Sequence, residues 1–376
     1  MKILMATMSM GIGGAETHIL ELSKELKKRG HEVWVVSNGG KYNDELEEFG
    51  IHTVWAPLHN KNPQNMLKSY KILKKLILDE KIDLVHSHTR ISSFLLGKLH
   101  KKLGFPYVTT AHWTFKVTPL LKAMTNWGEG TVAVSDDIKT YLINNYGIPA
   151  EQIVVTVNGI DIEKFSSATN YDDVVKEFSL KEPSKTNTIV YISRLDESRA
   201  LVAKQLVEIA KDLDSKINDL QIVIVGGGDS FDEIKSKSDA INKDLGKNLI
   251  TLTGSRTDIN KFANMGKIFI GVSRSALEAM ASEKPVIVAG NEGYIGIFDD
   301  SKLKVGIDTN FCCRGLEMSS PELLKRDVLD LLEKSSEILQ SQGLYNRETV
   351  KKYYSVEKMT EDCLSVYKYV LEKHKI

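Results

Sequence analysis

The sequence predicts an α/β protein of two doubly wound domains, each a mostly parallel sheet covered by helices on both faces. Three observations predict it. The chain has 376 residues, and at roughly 100 to 200 residues per domain this length fits two domains of similar size. Short β-rich runs alternate with amphipathic helical runs at 2–7, 15–29, 32–37, 64–79 and 84–87, the βαβ pattern of a buried parallel sheet. The alternation then starts again at 188–193, passes through a helical run at 201–213 and reaches 221–225, where three glycines end a strand.

Each half therefore reads as a Rossmann-like domain, the first over 1–165 and the second over 187–349. Between them, residues 159–187 are polar, contain Pro183 and carry a Ser/Lys/Thr/Asn cluster, which reads as the connection. The run from 348 to 376 is helical and carries Tyr353, Tyr354, Tyr367 and Tyr369. It is expected to pack back on the first domain, from about residue 350 onward.

Composition narrows the function classes. A hydrophobic share of 42% and a charged share of 27% belong to a globular chain with its own cores. The balance of 50 basic against 50 acidic residues gives no reason to expect nucleic acid. The three cysteines, Cys312, Cys313 and Cys363, are odd in number and form no CxxC, which argues against a disulfide framework and a zinc site. The N-terminal MKILMA runs into a glycine-rich turn rather than a signal-peptide core, and no apolar stretch approaches the roughly 20 residues of a membrane span. A cytoplasmic location is expected. Charge is uneven, however: from Lys61 to Lys122 there are 12 basic residues against three acidic ones. That segment includes Lys98, Lys101, Lys102, Lys116 and Lys122 beside Trp113, Phe115 and Trp127. It is a candidate contact for the anionic inner face of a membrane, a solvated lysine face being the alternative.

The first strand ends in MGIGGAETH at 10–18, a glycine-rich turn that opens a helix. Gly13 and Gly14 would let a ligand approach the backbone and the free N–H groups of the helix start. The turn is not the GxGxxG dinucleotide fingerprint, and the second strand closes on VSNGG at 36–40 without an acid. A tight turn without ligand stays open beside the binding-loop reading.

The ordered set of segments goes further. GGAE at 13–16, DLVHSH at 83–88, TAH at 110–112, VS at 134–135, VNGID at 157–161 with Phe165, SRL at 193–195, VGGGD at 225–229 and LEAMASEKPV at 277–286 follow one another along nearly the whole chain. In this order they resemble the glycosyltransferase family 4 pattern, whose members have the GT-B architecture. The resemblance implies a retaining transferase that moves a hexose-type sugar from a nucleoside diphosphate, most often UDP, to a hydroxyl of a glycan, lipid-linked or small-molecule acceptor. The nucleotide sugar is a co-substrate, and neither a cofactor nor a metal is expected.

It also implies site residues. Arg194 and Arg199 would stabilise the leaving diphosphate, with arginine at 199 where the family usually has lysine; both groups suit an anion because a guanidinium donates in a fork. Surface pairing with Asp196 or Glu197 is the alternative. Glu278 would accept the ribose hydroxyls, and Gly226, Gly227 and Gly228 would let base and ribose pass close to the backbone. His112 would lie beside the donor sugar and assist the transfer.

One feature departs from the pattern: a second glutamate is usual eight residues before Glu278, and Ile270 stands there instead. Ser273, Arg274 and Ser275, at a helix start, and Asn291, Glu292, Gly293 and Tyr294, after the next strand, are the candidates for that lost sugar contact. His86 and His88 share a strand face and hint at a metal, but the sequence shows no third ligand. A nucleotide-sugar epimerase or hydrolase, or a non-catalytic nucleotide-sugar-binding protein, are the competing readings.

Overall fold

The computed structural model describes residues 1–115 and 117–374. Lys116, part of the basic segment, lies outside the described residues. The chain divides into two units: residues 1–159 together with 354–376, and residues 160–353.

The first unit is built on a seven-stranded sheet of β1 (Lys2–Ala6), β2 (Glu32–Ser37), β3 (His52–Trp55), β4 (Leu84–Ser87), β5 (Tyr107–Ala111), β6 (Gly130–Ala133) and β7 (Ile153–Val155), in the order β3-β2-β1-β4-β5-β6-β7. Every pairing is parallel. Strands such as β1 and β4 are buried along nearly their whole length because helices cover both faces, which is why they read as apolar runs rather than alternating ones. One face packs against the helices Gly14–Lys28 and Val356–Lys373 around Ile19, Leu22, Val35, Met359, Cys363, Val366 and Tyr367. The other packs on Leu73, Ile77, Leu95, Leu96 and Leu99, from the helices Pro63–Asp79 and Arg90–Leu103.

The second unit carries β8 (Asn187–Ile192), β9 (Leu220–Val225), β10 (Ile250–Leu252), β11 (Ile268–Gly271), β12 (Val286–Gly290) and β13 (Gly293–Ile297), in the order β10-β9-β8-β11-β12-β13. All pairs are parallel except β12 with β13, an antiparallel hairpin with a register shift at Val288/Ala289. The segment read as a connection is folded into this unit from residue 160 onward. Val174 of the short helix Asp172–Glu177 is buried, and Asn264 Nδ2 donates to the carbonyls of Ser167 and Thr169 at 3.1 and 2.7 Å. Polar composition hid those ties, because they are made through backbone carbonyls that every residue carries.

In both sheets the strand order reverses once, between β1 and β4 in the first and between β8 and β11 in the second. The loops leaving adjacent strands diverge there, and open α/β sheets bind ligands in the crevice this creates. Gly13 and Gly14 follow β1, Arg194 and Arg199 follow β8, and Ser273, Arg274 and Ser275 follow β11, so these candidates stand at the two reversals.

Candidate active site

In the second unit, Arg194 and Arg199 lie on the loop that leaves β8. Arg194 Nε stands 3.4 Å and Arg199 Nη1 3.1 Å from the same Asp196 Oδ2. Both side chains are exposed, at 57% and 42%, while Asp196 is half-buried beneath them. The surface pairing and the anion reading thus share one geometry: two guanidinium groups gathered on a single carboxylate can turn together to an arriving anion.

The glycines after β9 are required by the protein itself. Gly226 has φ +148°, and a Cβ there would stand 1.8 Å from the Ser193 carbonyl oxygen; Gly228 has φ +151°, and its Cβ would meet Leu195 and Asp196 backbone at 2.5 to 2.7 Å. Leu195 N–H donates to the Gly227 carbonyl at 2.9 Å, and Ser230 N–H to that of Leu195 at 2.8 Å. The two loops are therefore stitched together, and the glycine run sets the course of the backbone that carries Arg194. A Cβ on Gly227 would meet Ser255 Oγ at 2.5 Å.

Glu278 sits in the helix Arg274–Ala281, 3% exposed, and accepts from Arg274 Nε at 2.8 Å across one turn. Sequence reading placed these two residues in separate roles; the structure couples them. Ser273 precedes the helix at φ 54°, ψ −126°, a conformation rare for a residue with a Cβ, and its N–H donates to the Phe311 carbonyl at 2.7 Å. Ser275 Oγ donates to the Val272 carbonyl at 3.0 Å. The first N–H groups of this helix have no acceptor within it.

The 291–294 candidates divide. Asn291 Oδ1 accepts from Leu201 N at 3.3 Å and so caps the helix Leu201–Asp214, two residues past Arg199. Glu292 is exposed and meets Arg314 Nη2 at 3.3 Å. Gly293 belongs to β13 at φ +154°, where a Cβ would stand 2.1 Å from the Cys313 carbonyl oxygen. Tyr294 is a correction to the sugar-contact expectation. Its ring is buried in the core, and its hydroxyl donates to Asp327 Oδ2 at 2.7 Å, because the antiparallel β13 turns this face of the hairpin inward.

In the first unit, Met10 N–H donates to the Gly39 carbonyl at 2.9 Å and Tyr42 N–H to that of Met10 at 3.0 Å. The two glycine-rich turns noted in the sequence are thus laced to each other. Gly13 caps the helix Gly14–Lys28 in an extended conformation, with the Glu16 carboxylate folded back over it, and a Cβ on Gly14 would meet nothing within 4 Å.

His112 follows β5 and is half-buried. Its Nε2 lies 3.1 Å from His88 Nδ1, so one proton joins the two rings. The His18 ring stands edge-on to that of His112, with centroids 4.8 Å apart, and His18 Nδ1 meets Asn158 Oδ1 at 3.2 Å. Beneath them His86 is fully buried, held by the Tyr367 hydroxyl on Nδ1 and by Thr110 Oγ1 on Nε2, each at 2.7 Å. Burial lowers the His112 pKa to about 4 and that of His86 to about 3, the latter helped by the field of His112, and holds His88 well below 6.5. These imidazoles are neutral at neutral pH, since a protonated ring would lose its hydration there.

Sequence reading paired His88 with His86 and gave His18 no role; the grouping in space is His18, His88 and His112. One ring nitrogen from each lies within 4.8 Å of the others. Nitrogen ligands at 2.0 to 2.1 Å on a tetrahedral ion stand about 3.3 Å apart, so the set as it stands is wider than a finished metal site.

Two family models match successive parts of the chain: Glycosyltransferase Family 4 over residues 12–164, and Glycosyl transferases group 1 over residues 172–348. The chain is a glycosyltransferase of GT-B architecture, with a transferase activity. Among curated proteins it is 29% identical to the UDP-Gal:alpha-D-GlcNAc-diphosphoundecaprenol alpha-1,3-galactosyltransferase of Escherichia coli over 67% of this chain and 68% of that one. Among solved structures it resembles a glycosyltransferase from Rickettsia africae, at 23% identity and TM-score 0.77, covering 98% of each chain. It also resembles Anabaena HepE in complex with UDP, at 17% identity and TM-score 0.73, covering 98% of this chain and 100% of that one.

Proposed function

We propose that the protein transfers a hexose-type sugar, with retention, from a UDP-sugar to a hydroxyl of a glycan, lipid-linked or small-molecule acceptor. The observation that carries this reading is the pair Arg194 and Arg199 on one carboxylate at the reversal point of the second sheet. The nucleotide diphosphate sits there in this reading, gripped by the two guanidinium groups and by the start of the helix that holds Arg274 and Glu278. The ribose hydroxyls replace Arg274 as partners of Glu278. The UDP named with the Escherichia coli and Anabaena proteins supports the choice of base.

Transfer then needs no cation, because charge developing on the leaving phosphate meets fixed positive groups. With no carboxylate nucleophile assigned, front-face displacement is the simplest course, the departing phosphate drawing the proton from the acceptor hydroxyl. Neutral His112 can donate a hydrogen bond to the donor sugar. The protein works in the cytoplasm, at the inner face of the membrane. Lys98, Lys101 and Lys102 are exposed on the helix Arg90–Leu103, as are Trp113 and Phe115 on the loop after β5, which suits peripheral attachment. Among the described residues no helix is long and apolar enough to cross a membrane.

A thermal-shift series with nucleotides and nucleotide sugars tests the donor, since a ligand of the native state raises its apparent stability. UDP should raise the midpoint for wild type and far less for Glu278→Gln. Arg194→Ala should bind UDP but turn over slowly, because its contact strengthens in the transition state. Wild-type protein indifferent to every nucleotide would overturn the reading, as would equal behaviour of both variants and wild type.

A further inference from the structure

Arg90 opens the helix Arg90–Leu103, directly after His88 and Thr89. It is half-buried, and among the described residues it pairs with no carboxylate. Its Nε and Nη2 are both buried without a hydrogen-bond partner. These two donors form one edge of the guanidinium, the edge that grips two oxygens of a phosphate or carboxylate side-on. The guanidinium is held over the Phe115 ring, its Cζ 4.4 Å from the centroid, which fixes the plane but supplies no acceptor.

The same cavity is lined by His88, His112, Ser93, Phe115 and Trp127. Two more buried nitrogens without partners belong to it: Trp127 Nε1 and Nε2 of His88, a residue 5% exposed. The start of a 14-residue helix adds N–H groups and the positive end of its dipole, and the Thr89 hydroxyl at its cap bonds Ser92 Oγ at 2.8 Å rather than a backbone N–H of the helix. Desolvating a cation and leaving its donors unmade costs free energy unless a counter-charge arrives. Among the described residues no acidic side chain supplies it, and the unpartnered guanidinium edge, the indole N–H and the helix start all favour an oxyanion.

We propose that this cavity binds an anionic group of the acceptor, a phosphate or a carboxylate, side-on to Arg90, with the Trp127 indole N–H as a further donor. The acceptor is then an acidic molecule, and the anion lies beside His112, so the hydroxyl to be glycosylated is close to the charged group. The inference deepens the transferase reading and rests on it for the word acceptor; the anion site itself stands on the first unit alone.

The probes are inorganic phosphate, sulfate and glycerol 1-phosphate, the last an anion that carries hydroxyls. Each is titrated against wild-type protein while thermal unfolding is followed by tryptophan emission. A saturable rise in midpoint is expected for phosphate and a steeper one for glycerol phosphate. Arg90→Gln should weaken both at least ~10-fold, as loss of a charge-assisted bidentate contact does, and Trp127→Phe should weaken them less. Arg90→Lys keeps the charge without the fork and should fall between. Because the cation has no counter-charge, Arg90→Gln should unfold no earlier than wild type, which separates lost binding from lost folding. UDP binding should be the same in wild type and Arg90→Gln. No rise with any anion overturns the proposal, and so does the same rise in Arg90→Gln, or a rise with free phosphate but none with glycerol phosphate. If UDP fails to bind wild type, the donor reading falls while the anion result stands by itself.

Discussion

Acid should unfold the first unit well before it attacks the second, and the buried imidazoles set the size of the effect. In an unfolded chain a histidine titrates near 6.5. In the native protein His112 titrates at about 4 and His86 at about 3, both chiefly through burial. Between those values the unfolded chain takes up protons that the folded one refuses, so stability is at its full value above pH 6.5 and falls as pH drops toward 4. At pH 5 the deficit is 1.5 pH units per imidazole, which at about 1.4 kcal/mol per unit is about 2 kcal/mol each and about 4 kcal/mol for the two. All four tryptophans, Trp34, Trp55, Trp113 and Trp127, lie in the first unit, so their emission reports it alone. In urea with a chelator present, moving from pH 7 to pH 5 should lower the midpoint by about 2 M, for a slope of about 2 kcal/mol per molar. Ordinary carboxylates titrate mostly below this window and contribute little. A midpoint constant within about 0.3 M would mean that these rings are charged in the native state, or as wet as in the unfolded chain, and the reasoning would fail.

Further outcomes are expected in the second unit. Gly226→Ala drives a Cβ to 1.8 Å from the Ser193 carbonyl at φ +148°; it should cost at least about 2 kcal/mol and weaken UDP binding, read by circular dichroism melts and by titration. Tyr294→Phe leaves buried Asp327 without its 2.7 Å donor and should destabilise by about 1 to 3 kcal/mol while UDP affinity stays constant; a changed affinity with unchanged stability would return Tyr294 to the sugar. Sugar transfer should proceed at the same rate with and without excess chelator, and strict dependence on magnesium or manganese would contradict a leaving group held by Arg194 and Arg199. Replacing Lys98, Lys101 and Lys102 by serine should reduce co-sedimentation with anionic vesicles at low salt by about 1 kcal/mol per residue, and wild-type protein that ignores such vesicles would remove the membrane from the account.

The strands and helices with strong periodicity were legible almost to the residue, as β2 at Glu32–Ser37 shows, because burial on both faces writes a continuous apolar run. β13 was not, since its Gly-Tyr-Ile-Gly-Ile carries two glycines in five residues and resembles a loop. The site was legible as residue types and opaque as partnerships. Arg194 and Arg199 could be named through the resemblance, with pairing to Asp196 or Glu197 as the alternative, but that both would meet the same Asp196 oxygen could not. His18, His88 and His112 are scattered by number and gathered only because β1, β4 and β5 are neighbours in the sheet, an order that no local pattern encodes. Arg90 escaped notice for the opposite reason: it was counted as one lysine-like charge among twelve, and only packing shows that it lacks a partner.

The helix Val356–Lys373 completes a core whose strands were all made before residue 156. During synthesis the first seven strands emerge with the face meant for Met359, Cys363 and Tyr367 uncovered, and His86 waits for a phenol that arrives 281 residues later. The intervening 160–353 unit has all its parts by then and can close on its own. A nascent chain of which residues up to 353 have cleared the ribosome and the rest have not would therefore hold one finished domain and one with an apolar face open to holdase chaperones, reversing the order in which the two were translated.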